Sequence, residues 1–140
     1  MNMKKSTMMR NADLVLCARQ VLSLSVSRKQ VLNLSQLIEA TLSRRPKMHY
    51  IDYDRASRVL HAIDVRGLDA VVKGKMARMY WTELRDQVAE AMSSRRNLNF
   101  ARALTFVLSF RRPSRFYITP NAAFKILSAH FRAGLVEVRL

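Results

Sequence analysis

The chain contains one stretch twice, and this repetition limits its possible folds more than any other feature. Each copy reads Arg-Arg-Pro, three further residues and Tyr-Ile, and the copies begin at Arg44 and at Arg111. Proline disfavours the helical conformation in the residue before it, so each copy predicts a helix end, a short extended hook and a new helix. The first hook (hook 1, residues 44–52) ends on Asp52 as a helix cap. The second (hook 2, residues 111–119) ends on the cap Thr119.

The similarity continues beyond the hooks. A shift of 67 residues aligns residues 44–68 with residues 111–135 without a gap. The pairs identical outside the Arg-Arg-Pro and Tyr-Ile positions are Ala56/Ala123, Leu60/Leu127, Ala62/Ala129, Gly67/Gly134 and Leu68/Leu135. They fall at turn residues and at apolar helix positions, where two segments with the same backbone need the same side chains.

We therefore predict a tandem duplication of a helix–helix–hook–helix unit, packed into a single compact domain over residues 1–140. The pseudo-repeats cover about residues 10–68 and 77–135, and residues 1–9 form a basic tail. Chance similarity between two basic helical segments is the alternative.

Composition and apolar spacing predict an all-α domain of about six helices. Apolar residues make up 49% of the chain, which has only three glycines and three prolines. We expect helices over about residues 11–24, 25 or 27 to 43, 52–63, 70–94, 99–110 and 119–132. The 99–110 helix is apolar on nearly all sides and is expected at the centre of the core. Residues 135–140 alternate in the manner of a strand and predict a short extended tail that could pair with another chain.

The charge balance indicates a polyanionic partner. Lys and Arg total 25 against 10 acidic residues, a formal charge of +15 and a pI near 11.2, so RNA, DNA or an acidic membrane surface come first. Cys17 is the single cysteine, which excludes an internal disulfide and fits a reducing compartment. Asp13 and Arg19 interrupt the apolar residues around it, so we expect a cytoplasmic protein that does not enter a membrane.

The strongest functional signal is a stretch without acidic residues, between Glu90 and Glu137. Arginine dominates its basic residues, and the planar guanidinium suits phosphate better than a lysine does. The predicted nucleic-acid-binding residues are Arg95, Arg96, Arg102, Arg111, Arg112, Arg115, Lys125 and Arg132, with Arg44, Arg45 and Lys47 from the first copy.

Three aromatic side chains near this set, Phe116, Tyr117 and His130, could stack on unpaired bases, which favours RNA over DNA. The competing interpretation is a solvated surface, on which arginines cap helix C-termini. Capping explains the Arg-Arg pairs at predicted helix ends but leaves the missing acids unexplained.

No pattern of catalytic or metal-binding residues emerges. Tyr50 and Tyr117 precede helix caps, where an aromatic ring is usually a packing anchor. His49, His61 and His130 have no metal-like spacing, and each is expected at the surface or partly buried. We therefore predict a protein that is not an enzyme and needs no metal or cofactor.

A helix-turn-helix is a further possibility, with residues 119–132 as the recognition helix. Its exposed side would carry Asn121, Lys125, Ser128 and Arg132, residue types that can contact base edges. The segment between the two helices is longer than the usual turn of that motif, lacks its glycine and contains two prolines, so we favour general phosphate binding.

Two functional hypotheses follow. The first is a small basic helical nucleic-acid-binding accessory protein, with RNA favoured over DNA, that contacts the phosphate backbone through arginine clusters. The second is a protein–protein interaction module without catalytic activity, either a subunit of a larger assembly or a homo-oligomer.

Overall fold

All regular structure in the described residues is helical, which confirms the all-α prediction. The computed structural model describes residues 4–94 and 98–134, and only the backbone of residues 132–134. Within these residues the helices are α1 (Lys5–Ser27), α2 (Leu34–Leu42), α3 (Tyr53–Arg66), α4 (Leu68–Val71), α5 (Lys75–Met92), α6 (Phe100–Phe110) and α7 (Pro120–Gly134). The predicted extended tail at residues 135–140 lies outside them.

The helices form two compact units. Unit 1 comprises Met1–Pro46 and Ser114–Leu140 and holds α1, α2 and α7, whereas unit 2 comprises Lys47–Pro113 and holds α3 to α6. The boundaries follow Pro46 and Pro113, the equivalent prolines of the two hooks. Each unit therefore combines a helix pair from one predicted repeat with most of the hook and the third helix of the other. The duplication and the single domain themselves stay predictions.

The core of unit 1 is built where α1, α2, α7 and hook 2 meet. Leu14 and Leu37 are fully or almost fully buried on α1 and α2, and Leu127 faces them from α7. Hook 2 contributes Phe116 and Ile118 to the same cluster. An extended hook can therefore act as a core element, because two of its side chains replace the apolar face of a helix.

Unit 2 has a corresponding core on α3, α5 and α6. Trp81, Leu84 and Val88 line the buried face of α5, as their helical spacing predicts. Hook 1 contributes the fully buried His49 at the position that corresponds to Phe116. The expectation of a surface or partly buried His49 is therefore wrong, because the hook turns this side chain inward.

Side-chain caps begin four of the helices. Asp52 accepts a hydrogen bond from the N–H of Arg55, and Thr119 accepts one from the N–H of Ala122, so both predicted caps are confirmed. Asn99 caps α6 in the same way. Asn33 at α2 forms a full capping box, in which its side chain and that of the third helical residue each bond the other's backbone N–H.

The predicted boundaries of the first two helices are wrong. Helix α1 begins at Lys5, within the supposed basic tail, because nothing in residues 5–10 breaks a helix. Ser25 does not start α2, since it is buried and its hydroxyl donates to the carbonyl of Gln30. Lys29 at φ 55° ends α1 in the left-handed conformation that helix C-termini commonly use, and α2 begins only at Leu34.

Two further helix predictions need correction in unit 2. Gly74 has a φ of 90°, which a helix interior does not allow, so α5 begins at Lys75 and the preceding residues form the separate α4. Helix α6 does not lie at the centre of a core with all sides buried. It buries one face through Ala103, Leu104 and Val107, while Phe110 is 73% exposed.

Removing the cap of α2 tests how much its short helix depends on it. Asn33→Ala is expected to lower the free energy of unfolding by about 1 kcal/mol, because the N–H of Gln36 loses its acceptor. Asn33→Gly, which suits the cap backbone, is expected to cost only a few tenths of a kcal/mol. Urea unfolding followed by circular dichroism measures both, and equal losses would contradict a capping role.

Candidate nucleic-acid interface

A backbone hydrogen bond in unit 1 joins two basic segments that are far apart in sequence. The N–H of Phe116 in hook 2 donates to the carbonyl of Leu42, the last residue of α2, at 3.0 Å. Arg44 and Arg45 follow Ser43, the C-cap of α2, and Arg115 directly precedes Phe116. The bond therefore holds the two chain segments that carry these arginines side by side. We name the three arginines site 1 (Arg44, Arg45 and Arg115).

Arg115 is held in place within site 1. Its guanidinium carbon lies 5.8 Å from the centre of the Tyr117 ring, within cation–π range, and its Nε donates to the carbonyl of Phe116 at 3.1 Å. The Tyr117 hydroxyl lies 3.1 Å from that of Ser114. Within the described part of the chain, the terminal guanidinium nitrogens of Arg115 contact no acceptor, so they are available to an anion.

The other two arginines of site 1 stand at the C-terminal end of α2. The backbone N–H of Arg44 donates to the carbonyl of Thr41 in the last turn, and Arg45 is exposed. A helix C-terminus carries partial negative charge, which favours cations there. The position of Arg44 and Arg45 is thus explained in part by the helix end, as the solvated-surface interpretation expects. Arg115, in contrast, comes from a distant segment of the chain.

Unit 2 contains the corresponding arrangement, with α5 as its organiser. The side-chain amide nitrogen of Gln87 donates to the carbonyl of Arg112 at 3.0 Å, and its oxygen lies 2.7 Å from Nε2 of His49. This glutamine joins the end of α6, with Arg111 and Arg112, to the part of hook 1 that carries Lys47. We name these three basic residues site 2 (Lys47, Arg111 and Arg112).

The contacts of His49 fix its role as structural. Because the amide nitrogen of Gln87 faces Arg112, its oxygen accepts from the Nε2–H of His49. The other ring nitrogen, Nδ1, then accepts from the hydroxyl of Tyr80 at 3.0 Å. A neutral imidazole satisfies both partners, so His49 positions hook 1 on α5.

An acidic side chain distinguishes site 2 from site 1. Glu90 of α5 forms an ion pair with Arg111, at 3.0 Å between carboxylate and guanidinium. The basic stretch between Glu90 and Glu137 therefore does have a carboxylate beside it in the folded chain, because Glu90 at its N-terminal boundary lies next to Arg111. In unit 1 the only acid of α1 is the buried Asp13, so α1 supplies no exposed carboxylate to site 1.

The excess of positive charge is larger in unit 1. Its segments carry twelve Lys and Arg against three acids, whereas unit 2 carries thirteen against seven. Of the three acids, Asp13 is buried, Glu39 is exposed, and Glu137 lies outside the described residues. Unit 2 offsets part of its charge through ion pairs, including Arg78–Asp69 and Arg85–Asp64.

The remaining predicted binding residues are dispersed. Arg102 is exposed on α6 of unit 2, and Lys125 is exposed on α7 of unit 1. Arg95, Arg96 and the side chain of Arg132 lie outside the described residues.

Only part of the predicted stacking set faces solvent. Phe116 is 1% exposed and cannot stack on a base, because its ring fills the core of unit 1. Tyr117 is half-buried beside Arg115, and exposed His130 accepts a hydrogen bond from Arg19. Phe124 of α7, which is not among the predicted stacking residues, is 43% exposed next to Lys125. Its position outside the apolar stripe of Ala123 and Leu127 is the signal that could have revealed it.

Burial and desolvation perturb one basic side chain of α1. Arg10 is half-buried and donates two hydrogen bonds to the side-chain oxygen of Asn11. Desolvation lowers the pKa of Arg10, but a guanidinium keeps its charge at neutral pH. Arg10 therefore adds to the positive potential of unit 1.

Comparison of the chain with protein-family models, with curated proteins and with solved structures finds no match. In residues 4–94 and 98–134, no helix has both the length and the apolar character of a membrane span. The same residues contain no group of three or more His, Cys, Asp or Glu side chains that could hold a metal ion. A functional proposal must therefore come from the geometry and charge of the two sites.

Proposed function

We propose that the protein is a small nucleic-acid-binding accessory protein that holds the phosphate backbone at site 1, with RNA favoured over DNA. The observation that carries the proposal is the backbone bond between Phe116 and Leu42, which joins Arg115 to the Arg44–Arg45 pair. Three guanidinium groups on joined segments can donate several charge-assisted hydrogen bonds to adjacent phosphates. The larger charge excess of unit 1 supports the same choice of site.

Site 2 is a weaker phosphate site in this proposal. A phosphate that approaches Arg111 competes with the carboxylate of Glu90, which already accepts from its guanidinium. Helix α1 of unit 1 has no exposed acid, so no carboxylate of α1 competes with a phosphate at site 1. The two copies of the hook would thus share a backbone but differ in affinity.

Exposed aromatic side chains favour single-stranded RNA. Phe124 presents part of its ring to solvent beside Lys125, and both belong to α7 of unit 1. A base needs to be unpaired to stack on such a ring, while the neighbouring ammonium contacts its phosphate. Phe124 therefore takes the stacking role that the buried Phe116 cannot fill.

A direct binding measurement tests the proposal. Fluorescence anisotropy of a labelled single-stranded RNA should show binding at about 50 mM salt, tighter than to a DNA duplex of equal length. The three phosphate contacts of site 1 alone predict a slope of about −2 for the logarithm of the association constant against that of salt concentration, and contacts by Lys125 or site 2 would make it steeper. A fourfold rise in salt should then weaken binding roughly twentyfold. No binding at low salt, or binding that salt does not change, would rule out the phosphate contact.

A further inference from the structure

A groove on unit 1 has no residue of either hook in its lining. It runs between α1 and α7 and has a volume of about 760 Å³. Its floor is aliphatic, with Val15 and Leu16 from α1 and Ile126 from α7, and the small residues Ala12 and Ala129 leave its sides low. From residue 11 to residue 19 the groove follows about two helical turns, which is about 12 Å.

The rim of the groove is basic. Arg19 of α1 and Lys125 of α7 are exposed along it, and Arg19 donates to Nε2 of His130 at 2.9 Å, so this imidazole accepts as a neutral ring. None of the described residues that line the groove is acidic. An occupant with carboxylates beside an apolar stripe would therefore complement both the floor and the rim.

In unit 2 a short helix packs on the helices of the core. Helix α4 packs on α3, and its Leu68 and Val71 lie against the core of unit 2. Asp69 of α4 forms an ion pair with Arg78 of α5, at 3.5 Å. A short helix with two apolar side chains and an acid is thus held in unit 2 by apolar packing and an ion pair, the same two interactions that the groove of unit 1 offers.

We propose that the groove between α1 and α7 binds an acidic amphipathic helix of a partner protein. Apolar side chains three or four residues apart would lie on Val15, Leu16 and Ile126, and flanking carboxylates would pair with Arg19 and Lys125. The floor is aliphatic, and the one aromatic ring at the rim, His130, is held by Arg19, so the groove favours a helix over nucleic acid. This inference does not rest on phosphate binding at site 1.

The test is a titration of the full chain, labelled with ¹⁵N, with a synthetic acidic peptide of about four helical turns. The peptide carries leucines along one face and glutamates beside them, and a scrambled peptide of the same composition is the control. The amide signals of Val15, Leu16, Ile126 and Ala129 should shift with the amphipathic peptide. The scrambled peptide should bind about tenfold more weakly or not at all.

A matched pair of variants locates the binding. Ala129→Glu places a carboxylate in the groove next to Lys125 and should weaken peptide binding about tenfold. Ala89→Glu makes the same change at an exposed alanine of α5 and should leave peptide binding unchanged. Each variant lowers the net charge of the chain by one, so a difference between their peptide affinities reports the position of the new carboxylate and not the net charge.

Three results would overturn the proposal. Equal affinities for the amphipathic and the scrambled peptide would show that the protein recognises only the charge of the peptide. Equal effects of Ala129→Glu and Ala89→Glu would place the peptide elsewhere. Binding that appears only after residues 135–140 are removed would assign the groove to the chain's own C-terminal residues.

Discussion

Phe116→Ala is expected to lower the free energy of unfolding by about 3–5 kcal/mol, the largest effect of any single substitution predicted for this chain. The ring is 1% exposed and belongs to the core cluster of α1, α2 and α7. Its removal leaves a cavity among these helices and loosens the hook whose backbone N–H bonds to Leu42. The loss in unfolding free energy is large because this one ring fills the space between three helices.

A matched control is Phe110→Ala on α6. That ring is 73% exposed, so its truncation should cost less than about 1 kcal/mol although the chemical change is the same. Urea unfolding monitored by far-ultraviolet circular dichroism gives both values from the shift of the midpoint at constant slope. Similar losses for the two variants would contradict the assignment of Phe116 to the core.

The hooks show how far the sequence could predict this fold. Prolines, caps and repeated apolar positions predicted that a helix ends before each hook and begins after it, and Asp52 and Thr119 indeed cap α3 and α7. The same reasoning assigned Phe116 to base stacking, because a single sequence does not show which face of an extended segment turns inward. In an extended segment alternate residues face opposite sides, and Phe116 and Ile118 share the buried side.

The boundaries of α1 and α2 failed for a different reason. Serine is a common helix cap, and Ser25 precedes a stretch with helical apolar spacing. The structure uses its hydroxyl inside the loop after α1, bonded to Gln30, and Val31 of that stretch is 88% exposed. A capping preference is local, whereas the choice between two serines and Asn33 depends on the packing of α2 against α1 and α7.

For the candidate site, the sequence predicted the type of binding residue but not how these residues are grouped in space. Net charge and the excess of arginine indicated phosphate binding, but not which arginines lie together. Site 1 depends on the pairing of residues 42 and 116, and the ion pair of Arg111 depends on Glu90 one helix away. The first pairing arises because hook 2 packs on α2 of the other predicted repeat, and the second because α5 and α6 pack together, and no local sequence pattern predicts either.

The triple variant Arg44→Ala, Arg45→Ala and Arg115→Ala is expected to weaken binding of single-stranded RNA on the order of 100-fold at low salt. That factor corresponds to about 2.7 kcal/mol, which is modest for three charge-assisted contacts. The slope of the logarithm of the association constant against that of salt concentration should become less negative by about 2, because three phosphate contacts are lost. The double variant Arg111→Ala and Arg112→Ala should weaken binding less than about tenfold, because Glu90 already occupies part of the Arg111 guanidinium.

Two controls separate site 1 from the general charge of the protein. Arg55→Ala, Arg66→Ala and Lys75→Ala together remove as much charge from exposed positions of unit 2, outside both sites, and should weaken binding only severalfold. If this variant matched the site 1 variant, the protein would bind RNA through its overall field and site 1 would have no special role. Glu90→Gln should tighten RNA binding slightly by releasing Arg111, and no change would mean that site 2 does not contact RNA. Anisotropy titrations of all four variants on the same RNA decide between a defined arginine site and a diffuse basic surface.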